Sequence, residues 1–317
     1  MAFETLALPS GMRVESCVSK VQSILPAWDD AVIDIAPVIH PDQRGHKYMA
    51  IFTFKFDESY NDRTLVIGGW IAEETQWRIL KRRWRRAIAD VNRQLPKGQK
   101  ISRYHASHMN ANDGEFRGWE QRLEMKLWFT KKLFRIVSTD RMIAVASGID
   151  LKAFCDVFPE RNPPDYGVAY TICMQLAMWR IGEALDKHVL SDRVTIVHDH
   201  GNWDIHALQA FNILVDDPEW EYRNRFVAIT PLRWQDDTGL QSADLIAYEC
   251  MRAIDNELWT GKKMRTAMEE LLKCNSGIFP AYLDREALEA AKKELDKGHL
   301  RYAAAVSGLM RERRVTG

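Results

Sequence analysis

Three aspartates stand where a rigid element can hold a carboxylate over a ligand. Asp57 closes the apolar run YMAIFTFKF at 48–56, and Asp199 closes a second run, RVTIV at 193–197, within His198-Asp199-His200-Gly201. Asp244 falls in the second turn of a predicted helix over about 239–258, beside apolar Leu245, Ile246 and Ala247. In open α/β sheets, ligands gather in the crevice where strands end. Carboxylates meeting there repel one another and need protons or cations to coexist. Donors that are all oxygen suit hard divalent ions such as Mg²⁺ or Mn²⁺. Two such ions ~3.5–4 Å apart would polarise a phosphodiester and activate a water for in-line attack.

Each residue also has a structural reading. Asp57-Glu58-Ser59 fits the start of a turn, and Asp199 fits a helix cap. His198 and His200 flank Asp199 with period two and face away from it if the strand continues. Asp244 faces either solvent or a site. Gln241 completes a T-x-x-Q capping box with Thr238. His105, in the irregular stretch RYHASH, suits a proton shuttle or leaving-group acid because its ordinary pKa is near neutral; a surface-loop histidine is the other reading.

The elements that must position these residues follow from periodicity. Residues 48–56 and 64–71 read as a hairpin joined through SYNDR. A helix capped by Thr75 follows, with Leu80, Trp84, Ile88, Val91 and Leu95 on its apolar side. Arg78, Arg82, Arg85, Arg86 and Arg93 lie opposite, either as a solvated face or as a surface for phosphates. Further helices are expected over about 120–138, 166–187 and 203–215, and strands over 141–149 and 225–230. The segment 166–187 is apolar nearly all round, which marks a central buried helix. Strands separated by helices pair in parallel through crossovers. The expected fold is therefore α/β, a mixed sheet of antiparallel hairpin plus parallel strands with helices on both faces. Residues 1–44 read as an N-terminal extension packing on the core, 45–260 as the core, and 261–317 as a C-terminal helical extension.

Bulk properties exclude several classes. The chain has 317 residues, and its 44 Lys and Arg balance 44 Asp and Glu, so net charge steers it toward neither nucleic acid nor membrane. Any nucleic-acid contact must rest on a local basic face. The five cysteines (Cys17, Cys155, Cys173, Cys250 and Cys274) are scattered, which fits neither a zinc knuckle nor a disulfide framework. Cys173 and Cys250 fall in apolar helical patterns and read as core residues. No signal peptide or membrane span is expected, so a cytoplasmic location is.

DESY at 57–60, RYHAS at 103–107, the apolar strand ending in Asp199, and LQSADLIAY at 240–248 together resemble the bacterial and phage family called domain of unknown function 3800. That family is grouped with ribonuclease-H-like nucleases, and the resemblance spans about residues 48–255. LQSADLIAY, matching Q-x-A-D-L-x-A-Y, is its most specific piece. The resemblance implies a ribonuclease-H-like core and a metal-dependent nuclease site. Asp57, Asp199 and Asp244 would hold the ions, with Glu58, His105 and Gln241 as additional site residues. Arg82, Arg86 and Arg103 join Gln241 as candidate substrate-binding residues, and nucleic acid is the expected partner. Tyr60 stands where the family usually has Gly, and Arg103 where many members place an acid. Glu58 or Glu74 would then supply a fourth carboxylate. Two alternatives follow. One is an inactive ribonuclease-H-like scaffold that binds nucleic acid or a partner protein in a defence or mobile-element system; a protein partner or a homo-oligomer is expected beside nucleic acid. The other is a hydrolase of a small phosphorylated molecule.

Overall fold

A computed structural model describes residues 51–139, 142–159, 166–188, 193–235, 237–273 and 278–296. The expected N-terminal extension, Cys17, Cys274 and the last part of the C-terminal extension lie outside the described residues.

Two ten-residue strands, β1 (Ile51–Tyr60) and β2 (Thr64–Glu73), form the hairpin. The Asn61 side chain closes its turn by accepting the Arg63 and Thr64 N–H groups at 2.9 Å each. Next come α1 (Glu74–Gln94), the short α2 (Ala106–Ala111), α3 (Leu123–Thr139), β3 (Ile143–Asp150) and α4 (Leu151–Val157). The remainder is α5 (Tyr166–His188), β4 (Arg193–Asp199), α6 (Asp204–Val215), β5 (Phe226–Leu232), α7 (Thr238–Ile254), α8 (Thr266–Lys273), β6 (Ile278–Leu283) and α9 (Arg285–Asp296).

The six strands form one mixed sheet in the order β5-β4-β1-β2-β3-β6. β2 runs antiparallel to β1 and β3, and the other neighbours pair in parallel. Strand alternation sends Phe52, Phe54 and Phe56 to one face, where they pack with α4, α5, α6 and α9. Val66, Trp70 and Ala72 go to the other face, under α1, α3, α7 and α8. Cys173 and Cys250 are buried free thiols, as their apolar settings imply. No helix among the described residues is long and apolar enough to cross a membrane.

Four local expectations are corrected. β1 does not end before Asp57: Asp57 through Tyr60 stay paired with β2, opposite Gly68 through Leu65. Helix α1 begins one residue earlier than Thr75, after Glu73, and Thr75 does not cap it. The cap of α7 is Asp237, whose side chain accepts the Gly239 N–H at 2.7 Å, so Thr238 and Gln241 form no capping box. Asp237 is fixed in that place because Lys55 of β1 pairs with it. The C-terminal segment is not helical throughout. It supplies β6 at the sheet edge, where Pro280 is tolerated because one side of the strand needs no ladder donor.

Candidate functional site

The parallel ladder between β1 and β4 ends at Phe56 and His198. Asp57 and Asp199 are the next residues on these neighbouring strands. Phe56 and Ile196 belong to the core under α5, so Asp57 and Asp199, of opposite parity, point to the face that α7 covers. Asp244 comes down from α7 onto that face. Three segments far apart in sequence thus bring one carboxylate each to the same end of the sheet. Glu58, of the other parity, flanks them from the α5 side.

Backbone donors orient each aspartate. Asp57 Oδ1 accepts the Glu58 N–H at 2.8 Å. Asp199 Oδ1 accepts the N–H groups of His200 and Trp234 at 3.1 Å each. Asp244 Oδ2 accepts the Ala106 N–H at 2.7 Å. The second oxygen of each has no hydrogen-bond partner among the described residues.

Burial is the main influence on these carboxylates, and neighbouring acids add to it. Burial, followed by the charges of Glu58, Asp244 and Asp199, pushes the Asp57 pKa well above the usual carboxylate value. Burial and then Asp199 raise Glu58 to about 8. Burial raises Asp244 to about 7, against the pull of the Ala106 hydrogen bond and of Arg103. Asp199 is also raised by burial, opposed by its two backbone donors and Arg103. Of the two further candidates, Glu58 is the one whose charge acts on Asp57. Glu74, the other candidate, begins α1 and pairs with Arg78 at 3.9 Å.

His105 and Arg103 also reach the site. His105 Nδ1 lies 3.6 Å from Asp244 Oδ2, and its ring stacks on His108 with centroids 4.1 Å apart. Burial, His108 and Arg103 push its pKa down to about 4, so at neutral pH it is placed to accept a proton rather than deliver one. The Arg103 guanidinium lies over the Trp234 ring at 3.9 Å. Trp234 is the residue whose N–H holds Asp199, so one loop carries both contacts.

The other sequence candidates lie elsewhere. Gln241 is buried, and its Oε1 accepts Trp84 Nε1 and the Tyr104 N–H, each at 3.0 Å. It locks the segment carrying Arg103 and His105 against α7 and α1. Arg82 and Arg86 sit on the exposed side of α1, opposite the buried Trp84 face. His198 is buried and stacks on Phe56, with centroids 5.5 Å apart. His200 pairs with Asp204 at the start of α6. Asp204 was not singled out by the sequence, and its charge acts on Glu58; its signal was an acid opening a helix just after the Asp199 strand.

Among the described residues, no group of three His, Cys, Asp or Glu side chains stands ready as placed to hold a metal ion. The donor chemistry nonetheless suits a hard cation. The side chains are carboxylates that resist ionisation together, and three of them have one oxygen already anchored. No family model, curated protein or solved structure matches this chain. The family resemblance thus rests on the motif residues that carry it.

Proposed function

We propose that this chain is a divalent-metal-dependent hydrolase of phosphodiesters in nucleic acid, built on a ribonuclease-H-like core. One observation carries the reading: Asp57 and Asp199 share a face on adjacent strands, the charge of Asp244 on α7 acts on Asp57, and burial holds all three above the usual carboxylate range. The antiparallel hairpin joined to parallel strands, with helices on both faces, agrees with such a core. Asp57, Asp199 and Asp244 would hold Mg²⁺ or Mn²⁺, with Glu58 beside them. When bound, such ions polarise a phosphodiester and lower the pKa of a water. The chain's own residues prepare for this. The Ala106, His200 and Trp234 N–H groups fix the carboxylates, neutral His105 stands ready to take a proton, and Arg103 offers a cation to the phosphate.

A second reading, an inactive scaffold of the same fold, draws on Arg103. Its guanidinium already offsets charge at Asp199 and Asp244, where the resembled family often has an acid. Thermal melts in EDTA and in excess Mn²⁺, beside an assay of single- and double-stranded DNA and RNA, separate the two. The hydrolase gains melting temperature with metal and cleaves at least one substrate. A chain that does neither is the scaffold.

A further inference from the structure

Beside the acids stands a graded set of rings that the carboxylate chemistry leaves unused. Tyr170 of α5 is completely buried. Trp203, the residue before α6, lies flat on it, with centroids 4.8 Å apart and planes 2° from parallel. Tyr60, the last residue of β1, meets Trp203 edge-on at 6.0 Å and 84°, and is itself 60% exposed. His206 backs Trp203 at 5.9 Å, and exposed Ile205 continues the apolar surface. A buried ring anchors a half-buried ring, which in turn anchors an exposed one. A surface held this way loses little conformational freedom when a flat partner seats on it.

The rings approach the acids from the Glu58 side, on the face of β1 opposite to Asp57. Tyr60 follows Glu58 by two residues, so both side chains leave the same face of β1, about 7 Å apart along the strand. The Tyr170 hydroxyl is buried with no hydrogen-bond partner among the described residues, and the charges of Glu58 and Asp57 act on it. Arg103, over the Trp234 ring, acts with its charge on Asp199 and Asp244.

We propose that Tyr60 and Trp203 form a nucleobase subsite, and that the substrate class is single-stranded nucleic acid. The inference rests on the hydrolase reading above. An unpaired base would seat on the rings beside Glu58, with the adjoining phosphodiester crossing the end of the sheet to the aspartates. Neutral rings beside the Glu58 carboxylate suit a neutral flat group better than an anionic phosphate. In a duplex the base faces are covered by their neighbours, so only a single strand or a splayed base presents one. Stacking of this kind tolerates every base, because each has a π-face.

The test is fluorescence anisotropy with labelled oligothymidine and oligouridine of about 15 nucleotides, and a duplex of the same length, in EDTA and in Ca²⁺. Tyr60→Ala should weaken single-strand binding roughly 5- to 100-fold and leave duplex affinity unchanged. Tyr60→Phe should bind like wild type, since it keeps the ring. Tyr60 is at the surface, so both variants should fold, and their melting temperatures check this. Unchanged single-strand affinity in Tyr60→Ala, equal weakening for the duplex, or a wild type that binds neither strand type overturns the subsite. If Tyr60→Ala has no effect while metal still raises the melting temperature, only the subsite fails. If single-strand binding depends on Tyr60 but metal produces no shift, the hydrolase reading fails and the subsite stands.

Discussion

Gly68 and Ala247 approach so closely that a Cβ on Gly68 would lie 2.7 Å from the Ala247 Cα. Gly68 is also the residue paired with Asp57 across the hairpin. Ala247 follows Asp244 by one turn of α7. The missing side chain on β2 therefore lets α7 settle onto the sheet at the level of Asp57, which is how Asp244 reaches it. Gly68→Ala must push helix backbone rather than the tip of a side chain. The expected cost is ~1–3 kcal/mol in urea denaturation, together with a smaller metal-induced rise in melting temperature. A variant as stable and as metal-responsive as wild type would show that this close approach does not set the geometry.

Asp244→Asn tests whether the acids hold a cation. Asparagine keeps the shape and can still accept the Ala106 N–H, but it removes one negative charge and one anionic ligand. At pH 8, where Asp244 is ionised, the metal-free variant should be as stable as wild type or more so, because repulsion is relieved. Wild type should gain about 2.7 kcal/mol at a hundredfold excess of metal over Kd, and the variant much less. If Asp244 instead serves as a structural counter-ion to Arg103, its loss should destabilise the metal-free protein by ~3 kcal/mol or more.

Glu249, one turn beyond Asp244 on the buried helix, gives a pH dependence separate from the cluster. Its side chain is 2% exposed, and Oε1 lies 3.3 Å from Arg265. Burial outweighs the opposing pull of Arg265 and Arg252 and raises its pKa to about 7. The unfolded chain releases this proton near pH 4.5, and the folded chain keeps it until about pH 7. Its contribution to stability is thus fully present below about pH 4.5 and is lost as pH rises through 7. Glu249→Gln cannot titrate. Its stability relative to wild type should rise by up to about 3 kcal/mol between pH 4.5 and 8, then level off. Denaturant unfolding of both proteins across that range is the check, and a flat difference would mean that Glu249 stays ionised in the fold.

Much of the site could be read from the sequence because its acids sit next to strong strand signals. The apolar runs before Asp57 and Asp199 mark buried strands, and the buried surroundings of Asp244 mark an unusual place for a charge. The sequence does not give register, so it could not tell that Asp57 and Asp199 share a face while Glu58 takes the other. Gln241 matched a local capping pattern, but its carbonyl serves Trp84 and Tyr104, which are 157 and 137 residues away. β6 escaped notice because Pro280 interrupts it and its partner β3 is distant in the chain. Tyr60, Tyr170 and Trp203 come from three distant segments, and no spacing links them.

The arginine face of α1 lies apart from the acids and calls for its own test. Arg82, Arg83, Arg85 and Arg86 are exposed there, while Trp77, Leu80 and Trp84 bury the opposite side. The chain as a whole carries no net charge. On the proposed function, a local basic surface is what remains to bind phosphates. Each phosphate neutralised releases counterions, so binding should weaken steeply with salt. Replacing Arg82 and Arg86 with Gln leaves the buried side of α1 untouched and should not lower the melting temperature. It should weaken binding of oligothymidine and flatten the slope of log K against log salt by about one unit for each phosphate that is no longer neutralised. The weakening should not depend on base sequence, because phosphate groups carry none. An unchanged slope would mean that this face is only solvated.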